Sequence, residues 1–167
     1  MPLIKLNATL GLTGTLPAVS GANLTNVSAG KVLQVVQASD VTSRTTTSGS
    51  YVTASSSLTV NITPSSASNK ILVLLFVGGM GADSATTNSR CTVYRDSTDI
   101  SIGSGLGFGD NNVNASHFYT GSGGCVLDSP NSTSSLTYQF YMKSSGGNTA
   151  RYNNGSISTL TCYEIQG

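Results

Sequence analysis

Residues Leu58 to Val77, LTVNITPSSASNKILVLLFV, constrain the fold of this chain more than any other stretch. Leu58, Val60 and Ile62 alternate with Thr59, Asn61 and Thr63, the two-residue period of a strand with one face buried and the other in water. Pro64 and the Ser/Asn run to Asn69 stop that strand and turn the chain. Ile71 to Val77 is then apolar at every position, so the next strand needs cover on both faces. The expectation is an all-β sandwich with something further pressed against one sheet, another copy of the chain being the expected cover.

The rest of the chain carries the same texture. Strands are expected over Lys31–Ala38, Leu58–Thr63, Lys70–Val77, Val113–Thr120, Gly123–Asp128, Ser135–Lys143 and Ile157–Ile165, with an edge strand in Arg44–Ala54. Arg90–Arg95 and Asp99–Ile102 flank Asp96-Ser97-Thr98, a three-residue hairpin connection. Within Ser135–Lys143, Leu136, Tyr138, Phe140 and Met142 form one face and Thr137, Gln139, Tyr141 and Lys143 the other. Gly103–Asn112 and Gly146–Gly155 read as loops. Short strands with turn signals about every 8–12 residues predict an antiparallel β-sandwich, jelly-roll-like in arrangement. No helical stripe extends beyond two turns.

Met1 to Ala29 differs. Gly11, Gly14, Pro17 and Gly21 punctuate it, and Leu10, Leu12, Leu16, Val19, Leu24 and Val27 stand singly between the breakers. Residues 1–29 are therefore expected as an extended N-terminal arm whose apolar pegs lie along another protein surface, and 30–167 as a compact knob.

Composition removes several function classes. Charged residues are 9% of the 167 and the formal net charge is +1, so no basic stripe exists to hold a phosphate backbone, and nucleic acid is not an expected partner. Ser and Thr supply close to a third of the chain, but 38% hydrophobic residues in short spaced runs favour folding over disorder. The longest apolar run falls far short of the ~20 residues that span a bilayer, and Asn7, Thr9, Thr13 and Thr15 interrupt the N-terminal apolar stretch. A soluble protein without a cleaved leader is expected. Asn7, Asn23, Asn26, Asn61, Asn114, Asn131 and Asn154 open Asn-x-Ser/Thr sequons, as chance produces in a chain this rich in Ser and Thr. Cys91, Cys125 and Cys162 match no zinc spacing. Buried thiols are the leading reading, with one disulfide plus one spare thiol as the alternative.

Little in the sequence speaks for catalysis. There are one histidine and seven carboxylates, and His117 stands in a strand beside Phe118 and Tyr119. No G-x-S-x-G elbow occurs. Asp96 and Asp99 flank a hairpin, where they stabilise the turn, and with the distant Asp110 they are too few for a calcium loop. Gly103, Gly105, Gly107 and Gly109 alternate as in a phosphate loop, but neither Lys-Ser/Thr nor a helix follows. No catalytic residue, metal or cofactor is expected. Tyr119, Tyr141 and Tyr152, with Asp110 and Asn111, are the candidates for contact with a glycan, since tyrosine rings stack on sugars.

Several segments resemble one family. Leu16–Val27 (LPAVSGANLTNV), Gly30–Val36 (GKVLQVV), Ile62–Val73 (ITPSSASNKILV), Tyr94–Ile100 (YRDSTDI) and Ser158–Ile165 (STLTCYEI) together resemble the terminal domain of tailed-phage fibre proteins, especially of aquatic phages, and the stretch preceding it. The resemblance covers nearly the whole chain. It implies a homotrimeric, non-enzymatic protein at the virion surface, with a capsid or tail protein as partner and a host surface glycan as a second one. Fibre proteins carry a long shaft ahead of this domain. With about thirty residues there, the chain is expected to be a capsid decoration (cement) protein or a short fibre. On this view Ile71, Val73, Leu75 and Val77 are expected at the threefold interface, since obligate interfaces are apolar.

Overall fold

The computed structural model describes residues 31–53, 55–101, 108–111 and 118–167. The chain divides into two units, Met1–Gly30 and Lys31–Gly167, and the first lies outside the described residues. The six pegs of the expected arm, Leu10, Leu12, Leu16, Val19, Leu24 and Val27, lie outside the described residues, as do His117, Gly103, Gly105 and Gly107.

The second unit is an all-β sandwich of antiparallel strands. In chain order these are β1 (Val32–Asp40), β2 (Arg44–Thr46), β3 (Val52–Thr53), β4 (Thr59–Ile62), β5 (Lys70–Ala82), β6 (Asn88–Arg95), β7 (Thr98–Asp99), β8 (Gly109–Asn111), β9 (Phe118–Asp128), β10 (Leu136–Ser145), β11 (Ala150–Tyr152) and β12 (Ser158–Ile165). The first sheet runs β1-β12-β5-β11-β2, with β9 also paired to β5. The second runs β3-β10-β6-β7, with β4 also on β10 and β8 also on β6.

Alternation builds the core. Leu136, Tyr138, Phe140 and Met142 of β10 are all buried, and every second residue between them is half-buried. Opposite them, Ile71, Val73, Leu75 and Val77 of β5 join Leu160 and Cys162 of β12 in one cluster with Cys91, Val93, Val60 and Ile62. Each such side chain removed from water contributes about 1.5–3 kcal/mol. Polar bolts join the sheets at both ends. The Tyr152 hydroxyl on β11 shares its one proton between the Arg90 carbonyl at 2.7 Å and the Lys143 carbonyl at 2.9 Å. Asp128 on β9 accepts from Arg95 and from the Tyr138 hydroxyl, each at 2.7 Å.

Five local expectations need correction. Arg44–Ala54 is not one edge strand: β2 pairs with β11 in the first sheet and β3 with β10 in the second, so the chain crosses between layers here. Its Ser/Thr run has no apolar period to fix one face. The connection between β6 and β7 is Asp96-Ser97, one residue shorter than expected; Asp96 takes φ 53°, a conformation Asp tolerates. Gly109–Asn111, expected within a loop, pairs with β6, and Ala150–Tyr152, expected within another, pairs with β5 and β2. β5 also runs beyond Val77, to Ala82. A register shift between Val77 and Met80 absorbs Gly78 and Gly79. Gly79 has φ 60°, and a Cβ on Gly78 would stand 2.5 Å from the Ile157 carbonyl oxygen, so neither position accepts a larger residue without rearrangement.

Candidate functional site

The chain's single glutamate is the convergence point of its distant segments. Glu164 lies on β12 with Leu160 and Cys162 on the inward period, and it is 1% exposed. Its Oε1 accepts the Ser65 backbone N–H at 2.6 Å, the Ser65 hydroxyl at 2.7 Å and the Asn69 amide at 2.5 Å. Its Oε2 accepts the Gln34 amide at 2.7 Å. The Gly167 N–H donates to Asn69 Oδ1 at 3.1 Å, which orients that amide toward the carboxylate. All four donors on Glu164 are neutral. Burial works against the charge, and the bonds from Asn69, Ser65 and Gln34 outweigh it, bringing the carboxyl down from 4.5 to about 2. Sequence reasoning did not single out Glu164. The available signal was a lone acid at an inward position of an otherwise apolar period.

A second buried acid closes the other end of β1. Asp40 accepts from the Thr42 N–H at 2.9 Å, the Ser55 hydroxyl at 2.5 Å and Arg44 Nη2 at 2.9 Å. Burial again opposes the charge, and the bonds from Ser55, Thr42 and Arg44 bring this carboxyl from 3.8 to about 2. Asn153, at φ 57°, donates to the carbonyls of Asp40 at 3.1 Å and Thr42 at 3.2 Å and accepts the Ser158 hydroxyl.

Three further carboxylates are tied down as well. Asp83 is clamped by Arg151 at 2.6 and 2.7 Å, Asp96 accepts the Thr137 N–H at 3.0 Å, and Asp99 accepts the Thr92 hydroxyl at 2.6 Å and the Ser101 N–H at 3.0 Å. Asp96 thus ties the turn between β6 and β7 to β10, and Asp99 ties the residues after β7 to β6. Among the described residues no group of three or more His, Cys, Asp or Glu is placed to hold a metal ion. All three cysteines carry thiols; Cys91 and Cys162 are buried and Cys125 is exposed. Burial, with Asp128 nearby, pushes the Cys162 thiol up to about 12, so it packs as a small apolar group.

The candidate glycan contacts scatter. Tyr152 is a correction: it is fully buried, edge-on to Phe140 at 5.7 Å, and no ligand reaches it. Its place in a short Gly/Asn-rich stretch disguised a core anchor as a loop residue. Tyr119 is half-buried and donates to Asp83 at 3.0 Å. Asp110 and Asn111 pair through their backbones with Arg90 and Ser89. Tyr141 lies elsewhere, on the outer face of the second sheet, stacked on Tyr94 with ring centres 4.2 Å apart. Tyr51 meets Tyr94 edge-on at 6.4 Å, and Lys143 Nζ stands 4.3 Å above the Tyr51 ring. Sequence reasoning missed Tyr51 and Tyr94 as companions of Tyr141, because they come from segments far apart in the chain.

The largest correction concerns β5. Ile71, Val73, Leu75 and Val77, expected at a threefold interface, are 0–3% exposed within one chain, because the second sheet covers them. The open face carries the intervening residues. Across the first sheet the register aligns Val35, Tyr163, Leu72 and Leu127 in one row. The next row is Gln37, Thr161, Leu74 and Cys125, and the third is Ser39, Thr159, Phe76 and Gly123. Val35 is 53% exposed, Leu74 37%, Phe76 50% and Leu127 49%. None of the residues in these rows is charged. Compared with known proteins, the chain matches no family model and no curated protein.

Proposed function

We propose that the chain is a non-enzymatic structural protein of a bacteriophage virion. In this reading it forms a homotrimeric, jelly-roll-like surface knob, held to a capsid or tail protein by its N-terminal arm, residues 1–29, as a decoration (cement) protein or a short fibre. The observation that carries it is the clasp at Glu164. Three of the segments that resemble the phage fibre domain supply its parts: Gln34 from the opening strand, Ser65 and Asn69 from the ITPSSASNK turn, and Glu164 from the closing strand. Residues that meet at one buried carboxylate depend on one another, so their joint occurrence in the sequence has a physical cause beyond similar composition. The non-enzymatic part is supported by Asp40, Asp83, Asp96, Asp99, Asp128 and Glu164, whose carboxylates are engaged by neighbouring strands, turns and arginines.

The test is particle decoration by the full chain and by a version lacking residues 1–29. Loss of occupancy on the truncated version, with the knob still folded by circular dichroism, is the expected result. Full occupancy without the arm would defeat the anchoring role.

A second reading is recognition of a host surface glycan. The outer face of the second sheet favours it, since Tyr51, Tyr94 and Tyr141 gather there beside Lys143. The expected result on a glycan array is binding by the intact assembly that Tyr141→Ala abolishes. Absence of any hit counts against this role and leaves the structural one standing.

A further inference from the structure

From the outer face of the first sheet we infer the surface through which copies of this chain pack together: the open side of β5 and its neighbours, centred on Leu72, Leu74 and Phe76. This rests on the proposed homo-oligomeric knob and replaces the interface expected from the sequence. A sheet with one face in water alternates apolar inward and polar outward. The second sheet obeys this on β10, whose outward residues are Thr137, Gln139, Tyr141 and Lys143. The first sheet departs from it where β5 is central, placing Leu72, Leu74 and Phe76 outward between Val35 on one side and Leu127 on the other.

Several features identify a second copy as the occupant. The three aligned rows hold no Asp, Glu, Lys, Arg or His. Copies of this face therefore converge around an axis without like-charge repulsion, and a charged partner finds nothing to pair with. Two of the polar members bond each other within the face: Gln37 donates to the Thr161 hydroxyl at 2.9 Å. Strand spacing of about 4.8 Å and a rise of about 3.4 Å per residue give the rows a plan of roughly 20 by 20 Å. That is a contact centre rather than a whole standard interface of about 800 Å² per partner. The apolar surface continues past the first row into Val32 and Leu33, both more than 40% exposed, which extends the centre.

Sedimentation velocity on the full chain tests this, comparing wild type with Leu74→Thr/Phe76→Thr at about 1–50 μM. Threonine suits an outward strand position, so the variant should keep its far-ultraviolet circular dichroism while sedimenting as a monomer; the wild type should sediment as an oligomer. An oligomer that persists in the folded variant overturns this surface and leaves the oligomeric reading intact. A monomeric wild type overturns both. Should the variant not fold, the Cys125 thiol on wild type decides. Its reaction with a water-soluble disulfide reagent should slow at least about fivefold as protein concentration rises and partners cover it. A rate independent of concentration over the range in which the wild type assembles overturns the surface.

Discussion

Substituting Glu164 by glutamine isolates what the buried charge contributes. The carboxyl stands at about 2 against an ordinary 4.5, and one pH unit is worth about 1.4 kcal/mol, so the charged form stabilises the fold by about 3 kcal/mol. A depressed carboxyl gives its full contribution above its unfolded value and loses it as pH falls through the folded one. Glutamine keeps the volume. Its amide oxygen can accept from Ser65 and Asn69, but its NH2 then faces the Gln34 amide, donor against donor. Wild type should therefore exceed Glu164→Gln by about 3 kcal/mol at pH 7, by about half of that at pH 3, and by under about 0.5 kcal/mol at pH 2. At neutral pH this corresponds to a loss of roughly 10 °C in the thermal midpoint. Urea unfolding followed by circular dichroism, with both proteins at equal concentration, measures the gap. A gap of the same size at pH 7 and pH 2 would refute the reasoning, since loss of packing alone does not titrate.

The two faces of β5 should separate in denaturation: Ile71→Ala costs about 2–5 kcal/mol by opening the core, whereas Leu74→Ala costs under about 1 kcal/mol in dissociated protein and acts on assembly instead. Asn153→Ala removes both donors that hold the Asp40 and Thr42 carbonyls and the acceptor for Ser158, so a loss of about 2–3 kcal/mol in urea unfolding is expected. In the Leu74→Thr/Phe76→Thr monomer, thiol titration should count one rapidly reacting cysteine in the native state and three in denaturant. Rapid native reaction of Cys91 or Cys162 would contradict their burial.

Parity decides how far the sequence of this chain can be read. β10 was legible because only one of its faces is apolar, so Leu136 to Met142 announce which side is core. β5 was legible as a strand and illegible as to its faces: with every residue from Ile71 to Val77 apolar, odd and even positions look alike. Only the register with β9 and β12 tells Val73 from Leu74. The short β2, β3 and β11 escaped because two or three residues cannot display a period. Gly78 and Gly79 hid the continuation of β5 by breaking the pattern where the strand bulges. The clasp was out of reach for a different reason. Gln34, Ser65, Asn69 and Glu164 each look ordinary in their own segments, and they meet only after the chain has closed β1 onto β12.

The neutral donors around Glu164 carry a consequence for the solvent conditions the fold tolerates. A half-buried ion pair such as Arg151–Asp83 weakens as mobile ions screen it, the Debye length shrinking from about 10 Å at 0.1 M salt to about 3 Å at 1 M. The Glu164 carboxylate has no cation among its hydrogen-bond donors and almost no solvent contact, so dissolved ions neither compete for it nor shield it. The bonds that join the opening strand, the turn before β5 and the closing strand are therefore expected to depend on ionic strength far less than the ion pairs do.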